Sequence, residues 1–172
     1  MPDLNTHPEI ADKRERSLQI AHELTDNIKV REVGANKGYW VEKFLSSVGL
    51  GGGYAWCAAF VTFQLKTAGV EKSKLPNHPA SVMGWFTWAK TKGYLTTDPE
   101  RGDCFFWLDG EHGHIGRFVG WEDDAKTTFT SLEGNTNDAG SREGDGAYRK
   151  VRNMVGMKHH ATYGFVSLRA LK

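Results

Sequence analysis

The sequence predicts an α+β fold in which N-terminal helices pack on a C-terminal antiparallel β-sheet. Before about residue 95, apolar residues recur at the three- and four-residue intervals of amphipathic helices. After residue 100, short segments rich in aromatic and β-branched residues are separated by acidic or glycine-rich turns, as in consecutive antiparallel strands. Because the helices come first and the strands follow, this order favours α+β over alternating α/β.

Four helices are predicted in the first half of the chain. The first lies in an N-terminal helical segment, residues 1–30, where Thr6 and Glu9 have the spacing of a capping box. The other three show apolar helical spacing, and the last two end at a glycine; they span residues 40–48, 56–68 and 81–92. The helix at 56–68 is apolar almost all round, so we expect it to be central and buried.

Five strands are predicted in the second half, at residues 104–108, 115–121, 127–132, 147–154 and 162–168. The polar segment 135–146, NTNDAGSREGDG, carries oxygen ligands that would suit calcium. It does not match the twelve-residue loop of an EF-hand, and a polar hairpin connection is the preferred interpretation.

Length and charge limit the classes of function. A chain of 172 residues suits one domain, which we take as residues 1–172. The net charge of +1 provides no overall field for nucleic acid, and the basic residues Arg149, Lys150 and Arg152 are interpreted as a solvated strand face. The sequence shows neither a secretory signal peptide nor an apolar stretch of the roughly 18 residues that a membrane helix needs. We therefore expect synthesis in the cytoplasm and neither a nucleic-acid nor a membrane partner.

Cys57 lies where a glycine run, residues 51–53, meets the apolar third helix. Unpaired N–H groups and the positive end of the helix dipole lower the pKa of a thiol there, and the same groups can stabilise an oxyanion. Tyr54 and Trp56 could form walls of a substrate groove. A buried packing cysteine is the commoner situation, and Cys104, in the strand CFFW, fits it. A disulfide between the two cysteines would consume the candidate nucleophile.

A nucleophilic cysteine needs a base and a group that orients the base. His114, in GHIGRFVG, is the first choice, and His112 ranks lower because DGEHG indicates a turn. In SLEGN, Glu133 and Asn135 are two residues apart and are predicted to share a strand face, where one of them accepts a hydrogen bond from the imidazole Nδ1–H. Read as a zinc site, HGH lacks the third and fourth ligands.

The motifs WCAAFV, GD before an apolar strand, GHIG and LEGN occur in this order. Together they resemble the CHAP family, the cysteine- and histidine-dependent amidohydrolases and peptidases of the papain-like superfamily that hydrolyse peptidoglycan. The upstream segment NKGYWVEKFL also resembles the segment before the cysteine helix in one phage and bacterial branch. The resemblance covers roughly residues 30–155 and is fairly specific because the motifs keep their separations.

This resemblance implies a papain-like α+β fold with the cysteine helix packed on the antiparallel sheet. It implies Cys57 as nucleophile, His114 as general base and Glu133 as the residue that orients the imidazole, with Asn135 assisting. The implied reaction is hydrolysis of an amide bond in peptidoglycan, as an N-acetylmuramoyl-L-alanine amidase or a peptidoglycan endopeptidase. No metal or organic cofactor is expected.

Peptidoglycan is the expected partner of a monomeric enzyme, and the candidate groove residues are Tyr54, Trp56, Trp85 and Trp107. Packing in the core is nevertheless expected for at least half of the tryptophans considered, which include Trp88. Release by a holin, as for a phage endolysin, or injection by a secretion machine would bring the enzyme to the wall.

Three alternatives to a simple hydrolase stay open at this point. They are an acyl or peptidyl transferase, an effector toxin bound by a cognate immunity protein, and a non-catalytic wall-binding module. The survival of cysteine, histidine and carboxylate together argues against the last of these.

Overall fold

The structure is a computed structural model in which residues 3–137 and 144–172 are described. The middle of the polar segment predicted to form a hairpin connection, residues 138–143, lies outside the described residues. In the described parts of the chain, helices pack on a six-stranded antiparallel sheet of strand order β1-β6-β2-β3-β4-β5. The α+β fold class is confirmed, and the arrangement is compatible with a papain-like fold.

The helices are α1 (Lys13–His22), α2 (Tyr39–Ser47), α3 (Cys57–Thr67), α4 (Val82–Lys92) and α5 (Met154–Met157), with a π-helical turn at Glu23–Asn27 and 3₁₀ turns at Lys72–Lys74 and Arg169–Leu171. The strands are β1 (Leu95–Thr96), β2 (Cys104–Asp109), β3 (His112–Trp121), β4 (Thr128–Thr136), β5 (Gly146–Asn153) and β6 (Thr162–Val166). All five predicted strands are present, and the sequence patterns missed the short elements β1 and α5.

Helix α1 begins later than the capping-box spacing predicted. The chain turns at His7, where φ is +49°, so Thr6 does not cap a helix. Asp12 is the N-cap instead, and its carboxylate accepts hydrogen bonds from the N–H groups of Arg14 and Glu15 at 2.9 and 3.1 Å.

Helix α3 is the central element, as its apolar sequence predicted. Its buried residues are Cys57, Ala58, Ala59, Phe60, Val61, Thr62, Gln64 and Leu65. It packs against α1, α2, β3 and β4, which surround it on several sides. Aromatic residues cover the opposite face of the sheet, where α5 packs; they include Phe105, Phe118, Phe129 and Phe165.

A buried polar network fixes α3 on the sheet. The Arg117 guanidinium on β3 has no exposed surface and donates to Gln64 Oε1 at 2.9 Å, Ser17 Oγ at 3.0 Å and the Gly102 carbonyl at 2.7 Å. Asp103, the acidic residue of the GD motif, accepts from the Leu168 N–H at 2.8 Å. Because buried polar groups cost stability when they are unpaired, these bonds hold α1 and α3 in one position relative to β3.

Strands β3 and β4 separate at one end of the sheet. Their pairing extends from Trp121↔Phe129 to Arg117↔Leu132 and stops there. Beyond it, the register between β4 and β5 shifts between Glu133 and Thr136. The start of β3 therefore has no β4 partner, and the N-terminus of α3 lies against this part of the sheet.

Gly134 makes the close contact between α3 and β4 possible. A Cβ atom added to Gly134 would lie 2.6 Å from Trp56 Cζ3 and 2.6 Å from Phe60 Cγ. Both neighbours are rigid, fully buried aromatic side chains. No side chain larger than hydrogen therefore fits at this position without moving the helix.

Among the described residues, no helix combines the length and apolar character that crossing a membrane requires.

We expect Gly134→Ala to destabilise the protein by about 1–3 kcal/mol, because its methyl group overpacks the α3 interface. Urea denaturation measures this change. Gly120→Ala is the matched control on the neighbouring strand, since nothing lies within 4 Å of its added Cβ. The control should change stability by less than about 0.5 kcal/mol. Equal stabilities for the two variants would contradict the proposed close packing.

Candidate active site

The chain that enters α3 is held by hydrogen bonds at Trp56 and at Gly53. The Trp56 Nε1–H donates to Glu32 Oε1 at 2.7 Å, and the Gly53 N–H donates to the Asn36 carbonyl at 2.8 Å. Gly53 has a φ of +97°, which favours glycine. Trp56 is the N-cap residue and Cys57 the first residue of α3, so these bonds fix the start of the helix and with it the position of the thiol.

Cys57 is 6% exposed, and its thiol lies between α3 and β3. Burial raises the pKa of the thiol. The hydrogen bond and positive charge of His114, together with the N–H groups of Ile115 and Ala58, lower that pKa by more than burial raises it. The net pKa of Cys57 is below the ordinary thiol value. The Ile115 N–H can reach the sulfur because β4 has already left this part of β3.

His114 lies between Cys57 and Glu133. Its Nε2 is 2.7 Å from Glu133 Oε2, and neither side chain has exposed surface. Its Nδ1 is buried and has no nitrogen or oxygen partner among the described residues, which leaves this atom for the thiol. Burial lowers the pKa of His114, but hydrogen bonds with Cys57 and Glu133 and their negative charges raise it to about 9.

The structure corrects which ring nitrogen faces the carboxylate. The sequence analysis predicted that Nδ1–H donates to the orienting residue, whereas Nε2 makes that contact. Nδ1 is the ring nitrogen closer to the strand backbone, and it is the one left for the Cys57 thiol. Nε2, at the far end of the ring, is the atom that reaches across to Glu133 on β4.

Within the described residues, Glu133 is held by four hydrogen bonds. In addition to His114, Ser131 Oγ donates to Oε1 at 2.6 Å, Arg152 Nε to Oε1 at 2.7 Å and Arg152 Nη2 to Oε2 at 2.5 Å. Burial alone raises the pKa of Glu133, but the bonds from Arg152 and His114 outweigh it and lower the pKa to about 2. The carboxylate is therefore ionised at neutral pH and is an acceptor for the His114 Nε2–H.

Arg152 is a site residue that the sequence analysis missed, because it placed Arg152 on a solvated basic face. Its neighbours in that cluster also have internal partners: Arg149 pairs with Asp26 at 2.6 Å, and Lys150 donates to the Asn137 carbonyl at 3.0 Å. The available signal was Glu133 itself. A buried carboxylate beside an imidazole needs a second compensating group, and a basic strand nearby could supply it.

Asn135 does not follow the alternation that placed it beside Glu133. Its φ is +55°, and it lies in the irregular region of β4 where the pairing with β5 shifts. Asn135 is 4% exposed, but within the described part of the chain it is Glu133 that is bonded to His114. His112 also lies on β3, as an exposed residue at the start of the strand.

The structure places two of the four predicted groove residues in the core. Trp56 and Trp85 have no exposed surface, and Trp85 Nε1–H donates to the Pro79 carbonyl at 3.2 Å. Their side chains belong to the core, the outcome expected for at least half of the tryptophans. Tyr54 is 57% exposed in the loop before α3 and stays a predicted groove residue.

Trp107 also stays a predicted groove residue. It is the β2 partner of His114, and their ring centroids are 6.0 Å apart. The indole also stacks on the His160 ring, with the ring centroids 4.0 Å apart and an interplanar angle of 5°. Asp109 Oδ2 is 2.7 Å from His160 Nδ1 and holds that ring in place. Trp107 is thus a fixed aromatic surface beside His114.

The second cysteine has a different environment. Cys104 is fully buried in β2, and the two cysteines are not bonded to each other. Burial raises the pKa of Cys104 to about 12. Cys104 is therefore a packing residue, whereas Cys57 is the cysteine with a lowered pKa. In the described residues, His, Cys, Asp and Glu form no group of three or more that could hold a metal ion.

A cysteine at a helix N-terminus, paired with a histidine and a carboxylate on an antiparallel sheet, is the arrangement of papain-like thiol hydrolases. The CHAP domain model matches residues 49–135, slightly more than half of the chain and a range that contains Cys57, His114 and Glu133. The chain belongs to the CHAP family, whose members are generally amidases or peptidases that act on peptidoglycan. No curated protein and no solved structure was found to match the chain.

We expect iodoacetamide to alkylate Cys57 at mildly acidic pH, below the ordinary thiol pKa of about 8.5, because the lowered pKa keeps a thiolate there. Cys104 should stay unmodified in the folded protein. Peptide mapping by mass spectrometry over a pH series measures both, with Cys57→Ser as the control that should take up no label. A rate that rises only near pH 8.5, or equal labelling of both cysteines, would contradict an activated Cys57.

Proposed function

We propose that this chain is a cysteine-dependent peptidoglycan hydrolase that cleaves an amide bond, either as an N-acetylmuramoyl-L-alanine amidase or as an endopeptidase. One observation carries the proposal: Cys57, His114 and Glu133 form a continuous buried series at the N-terminus of α3. Membership of the CHAP family supports peptidoglycan as the substrate.

In the proposed reaction, the Cys57 thiolate attacks the carbonyl carbon of the scissile amide. A C–S bond forms, and the carbonyl becomes an oxyanion close to the first N–H groups of α3, those of Cys57 and Ala58. The His114 imidazolium gives its Nδ1 proton to the nitrogen of the leaving amine as the C–N bond breaks. The acyl group stays on Cys57 as a thioester.

Hydrolysis of the thioester completes the cycle. The neutral imidazole takes a proton from water, the resulting hydroxide attacks the thioester carbonyl, and the C–S bond breaks. The thiolate of Cys57 and the imidazolium of His114 are both restored. Proton transfer in both steps uses the same atom, Nδ1, because Nε2–H stays bonded to Glu133.

Glu133 has an orienting and an electrostatic function in this mechanism. Its acceptor oxygen keeps the proton on Nε2, so that Nδ1 is the nitrogen that exchanges protons with substrate and water. Its negative charge also stabilises the imidazolium, in agreement with the raised pKa of His114. Tyr54 and Trp107 are proposed to contact substrate on either side of the thiol.

The substrate lies outside the cytoplasmic membrane, so delivery by a holin or a secretion machine belongs to this proposal. A cognate immunity protein would be a partner if the chain is an interbacterial effector.

We expect Cys57→Ala to abolish release of fragments from purified peptidoglycan while the circular dichroism spectrum stays that of wild type, because the nucleophile alone is lost. Cys104→Ala is the matched control, since Cys104 is buried and has a pKa of about 12. It should keep the activity and lose about 1–2 kcal/mol of stability. Mass spectrometry of the fragments identifies the cleaved bond and separates hydrolysis from transfer to an amine. An active Cys57→Ala enzyme would refute the proposed nucleophile.

Glu133→Gln should lower kcat on a soluble muropeptide about a hundredfold with little change in KM, because it removes the charge that stabilises the imidazolium. Asn135→Ala should lower kcat by less than about tenfold, since Glu133 makes the contact with His114. Steady-state kinetics on both variants decides between them. A wild-type kcat in Glu133→Gln beside a collapsed kcat in Asn135→Ala would make the amide the third member of the triad.

A further inference from the structure

We propose that Arg152 is a positioning residue of this site, whose guanidinium holds the Glu133 carboxylate in the orientation and charge state that pair His114 with Cys57. The inference deepens the proposed function and rests on it for the catalytic consequence. The arginine touches neither the thiol nor the imidazole among the described hydrogen bonds; it acts through Glu133.

Arg152 and Glu133 form a bidentate ion pair. Nε and Nη2 of Arg152 bind the two oxygens of one carboxylate at 2.7 and 2.5 Å, so the plane of the carboxylate is fixed as well as its position. The Phe105 ring lies under the guanidinium, 6.0 Å from its central carbon. With Ser131 also bound to Oε1, rotation of the carboxylate away from His114 would break three other hydrogen bonds.

The charges of the four groups alternate along the series. When Cys57 is a thiolate and His114 an imidazolium, the order is negative, positive, negative and positive, ending at Arg152. A buried Glu133 with only His114 beside it would bind the imidazolium proton more tightly and lower its ability to transfer that proton. The positive charge of Arg152 compensates part of the negative charge of Glu133 and so limits this effect.

Other titratable groups near the series have their own partners or lie farther away. On β5, Tyr148 and Lys150 precede Arg152 at two-residue spacing; the Tyr148 hydroxyl donates to Asp145 and Lys150 donates to a backbone carbonyl. Beside β2, the His160 ring is paired with Asp109 and stacks on the Trp107 ring. His112 is exposed at the start of β3. Arg152 is the cation that bonds directly to Glu133 beside His114 in the described structure.

Arg149 provides a matched comparison on the same strand. It also forms an arginine–carboxylate pair, with Asp26 at 2.6 Å, but that pair is partly exposed and shares no hydrogen bond with Glu133 or His114 among the described residues. An arginine that only ties β5 to its neighbours should behave like Arg149. An arginine that sets the electrostatics of the site should change the titration of Cys57 as well.

The experiment measures the alkylation rate of Cys57 by iodoacetamide against pH in Arg152→Gln, Arg152→Lys and Arg149→Gln. Loss of a nearby positive charge favours the protonated forms of the thiol and the imidazole, so Arg152→Gln should raise the half-maximal pH by about one unit. Arg152→Lys, which keeps the charge, and Arg149→Gln should match wild type. An unchanged profile in a folded Arg152→Gln protein would overturn the proposal, and so would an equal shift in Arg149→Gln.

Steady-state kinetics test whether Arg152 positions the carboxylate in addition to providing charge. A lysine has one ammonium group and cannot grip both oxygens, so Arg152→Lys should lower kcat about tenfold at an unchanged KM and thermal midpoint. If Arg152→Gln does not fold, this variant decides: a wild-type kcat would overturn the proposal. Alkylation requires no hydrolysis, so a wild-type protein that cleaves no peptidoglycan would refute the proposed function and leave the test of Arg152 intact.

Discussion

The separation of β4 from β3 is the constraint on which the candidate site depends. Pairing stops at Arg117↔Leu132, and the N-terminus of α3 lies against the part of β3 that β4 has left. The approach is close enough that a Cβ on Gly134 would collide with Trp56 and Phe60. Only because of this separation can a backbone N–H of β3 and the imidazole of His114 both reach the Cys57 thiol. A continuous β3–β4 ladder would have used that N–H and excluded the helix.

Burial then dictates what else the site must contain. The side chains of His114 and Glu133 have no contact with solvent, so each charge has to be compensated by a neighbour at hydrogen-bond distance. The chain supplies these neighbours from α3, β3, β4 and β5, which are distant in sequence. Their relative positions must be held by the rest of the fold, and the hydrogen bonds of Arg117 to α1 and α3 do this on the helical face of the sheet.

The fold class could be predicted, and the candidate nucleophile and base could be nominated, because both rest on local signals. Helical and strand periodicities predicted α+β, and the glycine run before Cys57 with a histidine at a strand start indicated the thiol and its base.

Four features could not be predicted from such local patterns. The Arg152–Glu133 pair depends on strand register across 19 residues, and the positive φ of Asn135 breaks the alternation that was assumed for it. Burial of Trp56 and Trp85 depends on packing, because exposed and core tryptophans look alike in a sequence. The choice of Nε2 over Nδ1 depends on the side from which α3 approaches.

A carboxylate at position 133 and an arginine at position 152 depend on each other. Cys57 and the ionised Glu133 carboxylate together raise the pKa of His114 to about 9, whereas proton transfer at neutral pH is most efficient when that pKa is near 7. In the proposal for Arg152, the arginine opposes this rise because its positive charge compensates part of the negative charge of Glu133. With a neutral amide in place of Glu133, the imidazole would need no such correction, and the Arg152 guanidinium, whose side chain is 21% exposed, would lose its ionic partner at a cost in stability. Glu133 and Arg152 therefore act as one unit in this proposal: the carboxylate stabilises the imidazolium of His114, and the guanidinium limits that stabilisation.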